Sequence, residues 1–208
     1  MNCVQITAIT PQKKHKDRLN IYLDGIFAFG IDLDTLVKNH LTIGRELSDN
    51  DVARLTNEGT TALLYNKTLA FISRRPRSEK EIRDYLHKQE VGISVSDLIV
   101  TKLKDRKFLD DAEFARWFVE QRSTFRPKGK VALTAELRQK GIDRELISQT
   151  LEENSVDEVG LARAALAKKL RQFDHLPADK RKEKIIRFLG SRGFSWDTIG
   201  KILNRDID

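Results

Sequence analysis

From residue 61 onward the sequence repeats one helical pattern three times, and this repeat limits the possible folds more than any other feature. The pattern is clearest from Lys107 to Ile142. A forward shift of 52 residues pairs Phe114 with Leu166, Ala115 with Ala167, Leu133 with Ile185, Leu137 with Leu189 and Gly141 with Gly193. A backward shift of 51 residues pairs Phe114 with Leu63, Pro127 with Pro76 and Leu137 with Leu86. Because a helical period alone does not make glycines coincide, we predict tandem modules.

The offsets divide the chain into four parts. Residues 1 to 60 form an N-terminal segment, and residues 61 to 109, 110 to 156 and 157 to 208 form three modules of three helices each. The predicted helix caps are Ser78, Asp110, Asp143 and Ser195, and Gly141 and Gly193 are predicted to end second helices. A module of about 50 residues is too small to bury much of its surface alone. We therefore expect the modules to stack into an elongated, solenoid-like array.

Residues 1 to 60 carry the alternating pattern of a small sheet. Apolar and polar residues alternate from Val4 to Ala8 and again from Leu19 to Leu23. The Asp24-Gly25 pair then separates two such runs, which is a strong hairpin signal because both residues tolerate positive φ angles. We predict an antiparallel sheet of two or three strands.

Short helices should follow this sheet. One is expected near Leu33 to Val37, and another should begin at a cap supplied by Ser48 or Asp49. A lone small sheet is marginal in water, so it should pack against one of these helices or the next domain. The predicted fold class is therefore mainly α, with a small N-terminal β-hairpin or sheet segment before a tandem array of three-helix repeats.

The net charge of +7 lies entirely beyond residue 60. Residues 1 to 60 carry 7 basic and 8 acidic side chains, whereas residues 61 to 110 and residues 157 to 208 each carry a net charge of +4. Such a balance favours a polyanionic or acidic partner. Helical proteins also carry lysine and arginine simply to solvate their outer faces, so the charge alone does not decide between the two explanations.

The sequence also indicates where the protein works. No uninterrupted apolar run approaches the roughly 20 residues that a membrane-spanning helix needs. The basic residues of the N-terminus follow the first apolar stretch instead of preceding it, so no targeting segment is predicted. Cys3 is the single cysteine, which excludes an internal disulfide and a multi-cysteine metal site. We expect a cytoplasmic monomer without membrane contact.

Basic residues recur at the turn between the first and second helix of each module. The three turns read Arg74-Arg75-Pro76-Arg77, Arg126-Pro127-Lys128-Gly129-Lys130 and Lys180-Arg181-Lys182. Cations at a helix start oppose the helix dipole, so their recurrence indicates selection for a partner. The competing explanation is that helix starts collect proline and solvated charge. The candidate residues for binding carboxylates or phosphates are Arg74, Arg75, Arg77, Arg122, Arg126, Lys128, Lys130, Lys180, Arg181 and Lys182.

Catalytic and metal-binding patterns find little support. The four histidines are His15, His40, His87 and His175. Their spacing fits no metal site, and no phosphate-binding glycine loop is present. Asp110 and Asp111 could pair as catalytic carboxylates, but at the head of a helix capping is the better interpretation. Trp117 and Trp196 could stack on nucleic-acid bases, with Trp117 the better candidate, yet we expect both to pack in the core. No enzymatic activity, cofactor or metal is predicted.

Several of these stretches resemble the RecX family, the regulatory proteins of the bacterial RecA recombinase. The resemblance is carried by Asp17 to Gly25, Arg75 to Ser78, Phe108 to Ala115, Lys140 to Ile142 and Arg192 to Ser195. These stretches stand in the right order and extend over essentially the whole chain. The resemblance implies an all-helical array of three-helix repeats without enzymatic activity. The strand-like N-terminal segment departs from that purely helical picture.

The resemblance further implies that the chain binds along the helical groove of the RecA filament on single-stranded DNA. Members of the family mostly block filament extension or promote disassembly, and so reduce strand exchange, ATP hydrolysis and coprotease function in DNA repair, recombination and the SOS response. A competing hypothesis is an independent nucleic-acid-binding helical-repeat module. Its direct affinity for DNA would be strong without RecA and would fall steeply with salt.

Overall fold

The N-terminal part of the chain forms an antiparallel sheet of four strands. The computed structural model describes residues 3–13, 17–153 and 157–206, so His15, one of the four histidines, lies outside the described residues. The strands are β1 (Cys3–Pro11), β2 (Arg18–Leu23), β3 (Ile26–Asp32) and β4 (Glu46–Ser48), in the order β3-β2-β1-β4. The predicted sheet is confirmed, but the expected two or three strands were too few. The missed strand, β4, has three residues and pairs with the distant start of β1.

Asp24 and Gly25 form the predicted hairpin turn between β2 and β3. Their φ angles are 48° and 87°, both positive as a two-residue turn of this hand requires. The turn is also tied to β1, because the Asp24 N–H donates to the Gln5 carbonyl at 3.0 Å and the Asp24 carboxylate accepts the Gln5 N–H at 3.0 Å. The hairpin prediction is therefore confirmed.

Two helices follow the sheet, and only one of them is short. The helix α1 (Leu33–Lys38) matches the predicted short helix. The helix α2 (Asp49–Ile72) begins at the predicted cap Ser48, which forms a reciprocal capping box with Asp51. It continues for 24 residues because no proline interrupts it before Pro76. The prediction of a second short helix was wrong, and residue 60 lies inside one continuous helix.

The helix α2 packs on the sheet through two glycines and a buried arginine. A Cβ atom at Gly59 would collide with the carbonyl oxygen of Gly30, so the helix and the strand approach more closely than other residues permit. The Arg18 guanidinium lies beside this contact and donates to the Gly30 carbonyl at 2.9 Å and the Gly59 carbonyl at 3.3 Å. The core beneath the sheet consists of Ile6, Ile21, Leu23, Phe29, Ile31, Leu41, Leu47 and Leu55.

All regular elements that follow α2 in the described chain are helices. They are α3 (Glu79–Lys88), α4 (Ile93–Asp105), α5 (Asp111–Phe125), α6 (Lys130–Gln139), α7 (Arg144–Glu153), α8 (Glu158–Leu170), α9 (Ala178–Ser191) and α10 (Trp196–Asp206). The predicted caps are confirmed: the side chains of Ser78, Asp110, Asp143 and Ser195 accept N–H bonds from the first turns of α3, α5, α7 and α10. Within the described residues, none of the helices is both long and apolar enough to cross a membrane.

The chain divides into two compact units. Residues 1–75 and 85–108 make up the first unit, which contains the sheet, α1, α2 and α4. Residues 76–84 and 109–208 make up the second unit, which contains α5 to α10. The first two turns of α3 thus belong to the second unit and its end belongs to the first. The exact boundaries of the three predicted modules stay a prediction.

The second and third helices of modules two and three follow the predicted offset of 52 residues. Gly141 and Gly193 both end a second helix with positive φ angles of 84° and 74°. The paired positions Leu133 and Ile185, Leu137 and Leu189, Ile142 and Phe194, and Ile147 and Ile199 are all buried. The second and third helices of these two modules therefore repeat the same pattern of buried side chains as well as the sequence pattern.

The first helices of these modules follow a different offset. Asp110 caps α5 and Asp157 caps α8, which is a shift of 47 residues. Buried Ala115 thus corresponds to buried Ala162, and not to Ala167, which is exposed. The predicted pairing of the first helices was wrong because an apolar helical period fits more than one register, whereas the cap selects one.

Each of these two modules has its own core. The core of module two consists of Phe114, Ala115, Phe118, Val119, Leu133, Leu137, Ile142, Ile147 and Leu151. The core of module three consists of Ala162, Ala165, Leu166, Ile185, Leu189, Phe194, Ile199 and Ile202. Trp117 is partly buried against the first of these clusters, which confirms that it packs.

Candidate partner-binding surface

The ten candidate residues differ in how far they reach solvent. The exposed ones are Arg74, Arg126, Lys130, Lys180 and Lys182, and the partly buried ones are Arg75, Arg77, Arg122, Lys128 and Arg181. Two of them, Arg74 and Arg75, belong to the first unit and the other eight to the second. The exposed group is the part of the set that a partner can reach without rearrangement.

Arg122 and Lys128 are brought together by a carboxylate that the sequence did not single out. Glu136, on α6, accepts from Arg122 Nε at 2.7 Å and from the Lys128 ammonium. The Arg122 guanidinium also lies over the Phe118 ring, 4.7 Å from its centroid. Burial alone would raise the pKa of Glu136, but the hydrogen bonds and charges of Lys128 and Arg122 lower it. These two cations therefore join α6 to the preceding helix and turn within module two.

The turn of module two is a packing contact between modules as well as a basic segment. Pro127 and Gly129 are buried, and the Gly129 N–H donates to the Arg192 carbonyl at 3.0 Å. The Arg192 guanidinium in turn donates to the Pro127 carbonyl at 3.2 Å. A Cβ atom at Gly129 would collide with the backbone of Gly193. The start of one second helix thus sits on the end of the next one.

Two second helices have their first N–H groups bound by carboxylates of the following module. The Glu79 N–H at the start of α3 donates to the Asp111 carboxylate at 2.8 Å. The Lys130 N–H at the start of α6 donates to the Glu158 carboxylate at 2.7 Å. A helix start attracts anions, and here the chain supplies them itself. These two N–H groups are therefore already bound within the chain and do not offer an anion site to a partner.

The third basic cluster does not lie in a turn. Lys180, Arg181 and Lys182 were predicted to lie between the first and second helices of module three, but α9 already begins at Ala178. The helix begins earlier in the chain than predicted because Pro177 takes the cap position. Its φ angle of −53° suits entry into a helix. Lys180 and Lys182 are exposed on the first turns of α9, so they remain accessible cations.

The two acids that join the modules, Asp111 and Glu158, each directly follow another acid in the sequence. Asp110-Asp111 and Asp157-Glu158 are both acidic pairs at the head of a first helix. The first member of each pair caps its own helix, and the second caps the second helix of the preceding module. Capping of α5 by Asp110 was predicted correctly. The role of the second acid depends on a contact between modules, which the sequence pattern does not reveal.

Trp196 is the largest departure from the expected core. It is the first residue of α10 and its side chain is 77% exposed, so the expectation that it packs was wrong. The helix places its apolar residues Ile199 and Ile202 inward, and the position directly after the cap faces outward.

Among the described residues no group of three or more His, Cys, Asp and Glu side chains is arranged to hold a metal ion.

The fold and these surfaces define a class of protein. In this class an N-terminal β-sheet domain is followed along the chain by tandem three-helix domains with exposed cations on their helices. Family models match this order of domains along the chain. The N-terminal domain of regulatory protein RecX matches residues 4–48, and the first, second and third three-helix domains of RecX match residues 65–111, 110–151 and 157–203. The chain belongs to the RecX family. Its sheet lies within the residues that the RecX N-terminal domain matches, so the all-helical picture implied by the resemblance was incomplete.

Curated relatives and solved structures agree with this assignment. The chain is 38% identical to Regulatory protein RecX of Bacillus licheniformis over 95% of its own length and 76% of that protein. It is 36% identical to Regulatory protein RecX of Bacillus subtilis, over 96% and 76% of the two chains. A crystal structure of regulatory protein RecX superposes with a TM-score of 0.77 at 28% identity, covering 97% of this chain and 100% of that one. The chain is thus similar to regulatory proteins over almost its full length.

Proposed function

We propose that this chain is a non-enzymatic, cytoplasmic regulator that binds the RecA recombinase filament on single-stranded DNA. Binding limits filament extension, and with it ATP hydrolysis, strand exchange and coprotease function. The observation that carries the proposal is the match to four RecX domains in order along the chain. The RecA filament is the partner that the family resemblance implies.

The exposed cations support a filament as the target. A RecA filament on DNA offers phosphates and acidic side chains at regular intervals, and a repeat protein offers exposed cations from successive modules. Arg126 and Lys130 flank one turn, and Lys180 and Lys182 lie at the start of the next second helix. Because the Arg122 and Lys128 charges are held by Glu136, the exposed cations are the ones that act on the partner.

ATP hydrolysis by RecA on single-stranded DNA tests this proposal. Wild-type protein should lower the hydrolysis rate, and the variant Arg126→Glu with Lys130→Glu should require several-fold more protein for the same effect. A matched control is Arg138→Glu, because Arg138 is an exposed cation of the same module outside the candidate set. Equal loss of potency in Arg138→Glu and in the double variant would contradict a role for the turn.

The alternative function is an independent nucleic-acid-binding module, which the net charge of +7 favours. It predicts tight binding to DNA without RecA and a steep decrease of affinity with salt concentration. The two functions separate in one comparison. If the protein binds DNA tightly alone and leaves RecA hydrolysis unchanged when DNA is in excess, the alternative replaces the regulator.

A further inference from the structure

The start of α10 presents an aromatic surface that packing within the chain does not explain. Trp196 is 77% exposed, and Gly200, one helical turn later, lies on the same face of the helix. A glycine inside a helix is destabilising relative to alanine. A Cβ atom at Gly200 would meet no atom within 4 Å, so no neighbour within the described residues requires the glycine. The missing side chain leaves open space beside the indole.

The start of α6, where Lys130 lies, is held next to the start of α10. The Glu158 carboxylate accepts the Lys130 N–H at 2.7 Å with one oxygen and the Ser195 hydroxyl at 2.9 Å with the other. Ser195 directly precedes Trp196, so this carboxylate fixes the start of α6 beside the start of α10. The Lys130 side chain is exposed there. One carboxylate thus joins a helix start that carries an exposed cation to a helix start that carries an exposed aromatic ring.

The neighbouring acids are already engaged. The Asp197 carboxylate pairs with the Lys201 ammonium at 2.6 Å, and the Glu158 carboxylate receives the two helix starts and the Thr198 hydroxyl at 2.8 Å. Both carboxylates bonded at the start of α10 are therefore engaged within the chain.

We infer that Trp196, Gly200 and Lys130 form a contact surface for single-stranded DNA, with an unpaired base stacked on the Trp196 indole. A base is flat and presents a π face to an exposed aromatic ring, and the backbone phosphates next to it suit the Lys130 ammonium. The open space at Gly200 admits the edge of the base close to the helix backbone. This inference deepens the proposed function, and its choice of single-stranded DNA rests on that function.

Fluorescence tests the contact directly, because the chain has two tryptophans. In the Trp117→Phe protein all tryptophan emission comes from Trp196, and adding a short oligothymidylate without RecA should quench it strongly. In the matched Trp196→Phe protein the emission comes from partly buried Trp117 and should change little. Replacing Trp196 by alanine should weaken oligothymidylate binding by roughly 10-fold or more, the usual size of a base–aromatic stacking contact.

A glycine pair separates recognition from stability. Gly200→Ala should raise the melting temperature, because alanine is the better helix residue, and yet weaken oligothymidylate binding by several-fold. Gly190→Ala is the matched control: Gly190 is also inside a helix with open space around its Cβ position. It should raise the melting temperature and leave DNA binding unchanged.

Three results would overturn the inference. The first is oligothymidylate binding that leaves the emission of Trp196 and the affinity of the Trp196→Ala protein unchanged. The second is an absence of oligothymidylate binding to the wild-type protein. The third is quenching by RecA protein without DNA but not by DNA, which would assign the surface to a protein partner. None of these results removes the effect on RecA hydrolysis, which tests the proposed function separately.

Discussion

One backbone position in each module shows how contacts between modules select a residue. Gly141 and Gly193 end their second helices with positive φ angles, and the corresponding residue of module one is Glu90, with a φ angle of 57°. A Cβ atom at Gly141 would lie 2.7 Å from the Lys80 Cβ, and one at Gly193 would collide with the backbone of Ala132. Glu90 is exposed, so a side chain fits at that position. The glycines are therefore needed for close approach as well as for the turn.

Substitutions at this position should act in opposite directions. We expect Gly193→Ala to lower the free energy of unfolding by about 2 kcal/mol or more, because it adds backbone strain and a collision. Glu90→Gly should raise it by up to about 1 kcal/mol, because a left-handed conformation costs a residue with a Cβ that much. Chemical denaturation measures both changes. A Gly193→Ala protein as stable as the wild type would contradict the described contact with Ala132.

The Glu136 carboxylate should make stability depend on pH. Its pKa in the folded chain is lowered by Lys128 and Arg122 despite partial burial. The stabilisation is therefore fully present above the ordinary glutamate pKa of the unfolded chain, and is lost as the pH falls through the lower folded-state pKa. We expect Glu136→Gln to lose about 1 kcal/mol at neutral pH and less in acid.

Denaturant midpoints measured from neutral pH down to pH 3 test this prediction. The matched control is Glu120→Gln, since Glu120 is exposed on α5. It should follow the wild-type pH profile. A Glu136→Gln protein whose deficit in stability stays constant down to pH 3 would show that the carboxylate charge is not what joins these helices.

Among the elements, the first helices of modules two and three each join one module to the preceding one. Asp111 and Glu158 stand one residue after the cap of α5 and α8, and each binds the first N–H of the preceding second helix. A buried donor that loses its acceptor costs more than a new hydrogen bond contributes, and Thr198, which also donates to Glu158, is buried. The acidic pair at the head of a helix thus has one carboxylate for its own helix and one for its neighbour.

Removing one of these carboxylates should loosen a specific helix start. In Glu158→Ala the Lys130 N–H and the hydroxyls of Ser195 and Thr198 lose their acceptor, and we expect a loss of about 1 to 3 kcal/mol. Amide hydrogen exchange at Lys130 should become faster. Glu145→Ala is the control, because Glu145 is exposed in the first turn of α7. Unchanged exchange at Lys130 in Glu158→Ala would contradict the described bond.

At the scale of the whole molecule, the sequence predicted what depends on local pattern. The hairpin at Asp24, the helix caps and the paired glycines all depend on neighbours within a few residues, and they were found. The strand β4 and the role of Glu158 depend on partners far away in the chain, and they were missed. The exposure of Trp196 was missed for a related reason, because aromatic content alone does not show which side of a short helix faces the core.

For the candidate surface, too, the sequence predicted local features and missed contacts between helices. The exposed cations Lys130 and Lys182 could be read from the repeat, because solvated charge on a helix start is a local feature. The pairing of Arg122 and Lys128 with Glu136 could not, because it depends on how one helix lies against another. The basic turns are therefore partly structural and partly accessible to a partner.

The growth of RecA filaments on single-stranded DNA tests the regulator account most directly. Filament length is followed by electron microscopy or light scattering after the protein is added, at less than one molecule per RecA, to growing filaments. The account predicts that extension stops or reverses, and that the Arg126→Glu, Lys130→Glu protein needs several-fold higher concentration than the Arg138→Glu control. Filaments that grow at the same rate and to the same length with an equimolar amount of the protein would contradict it.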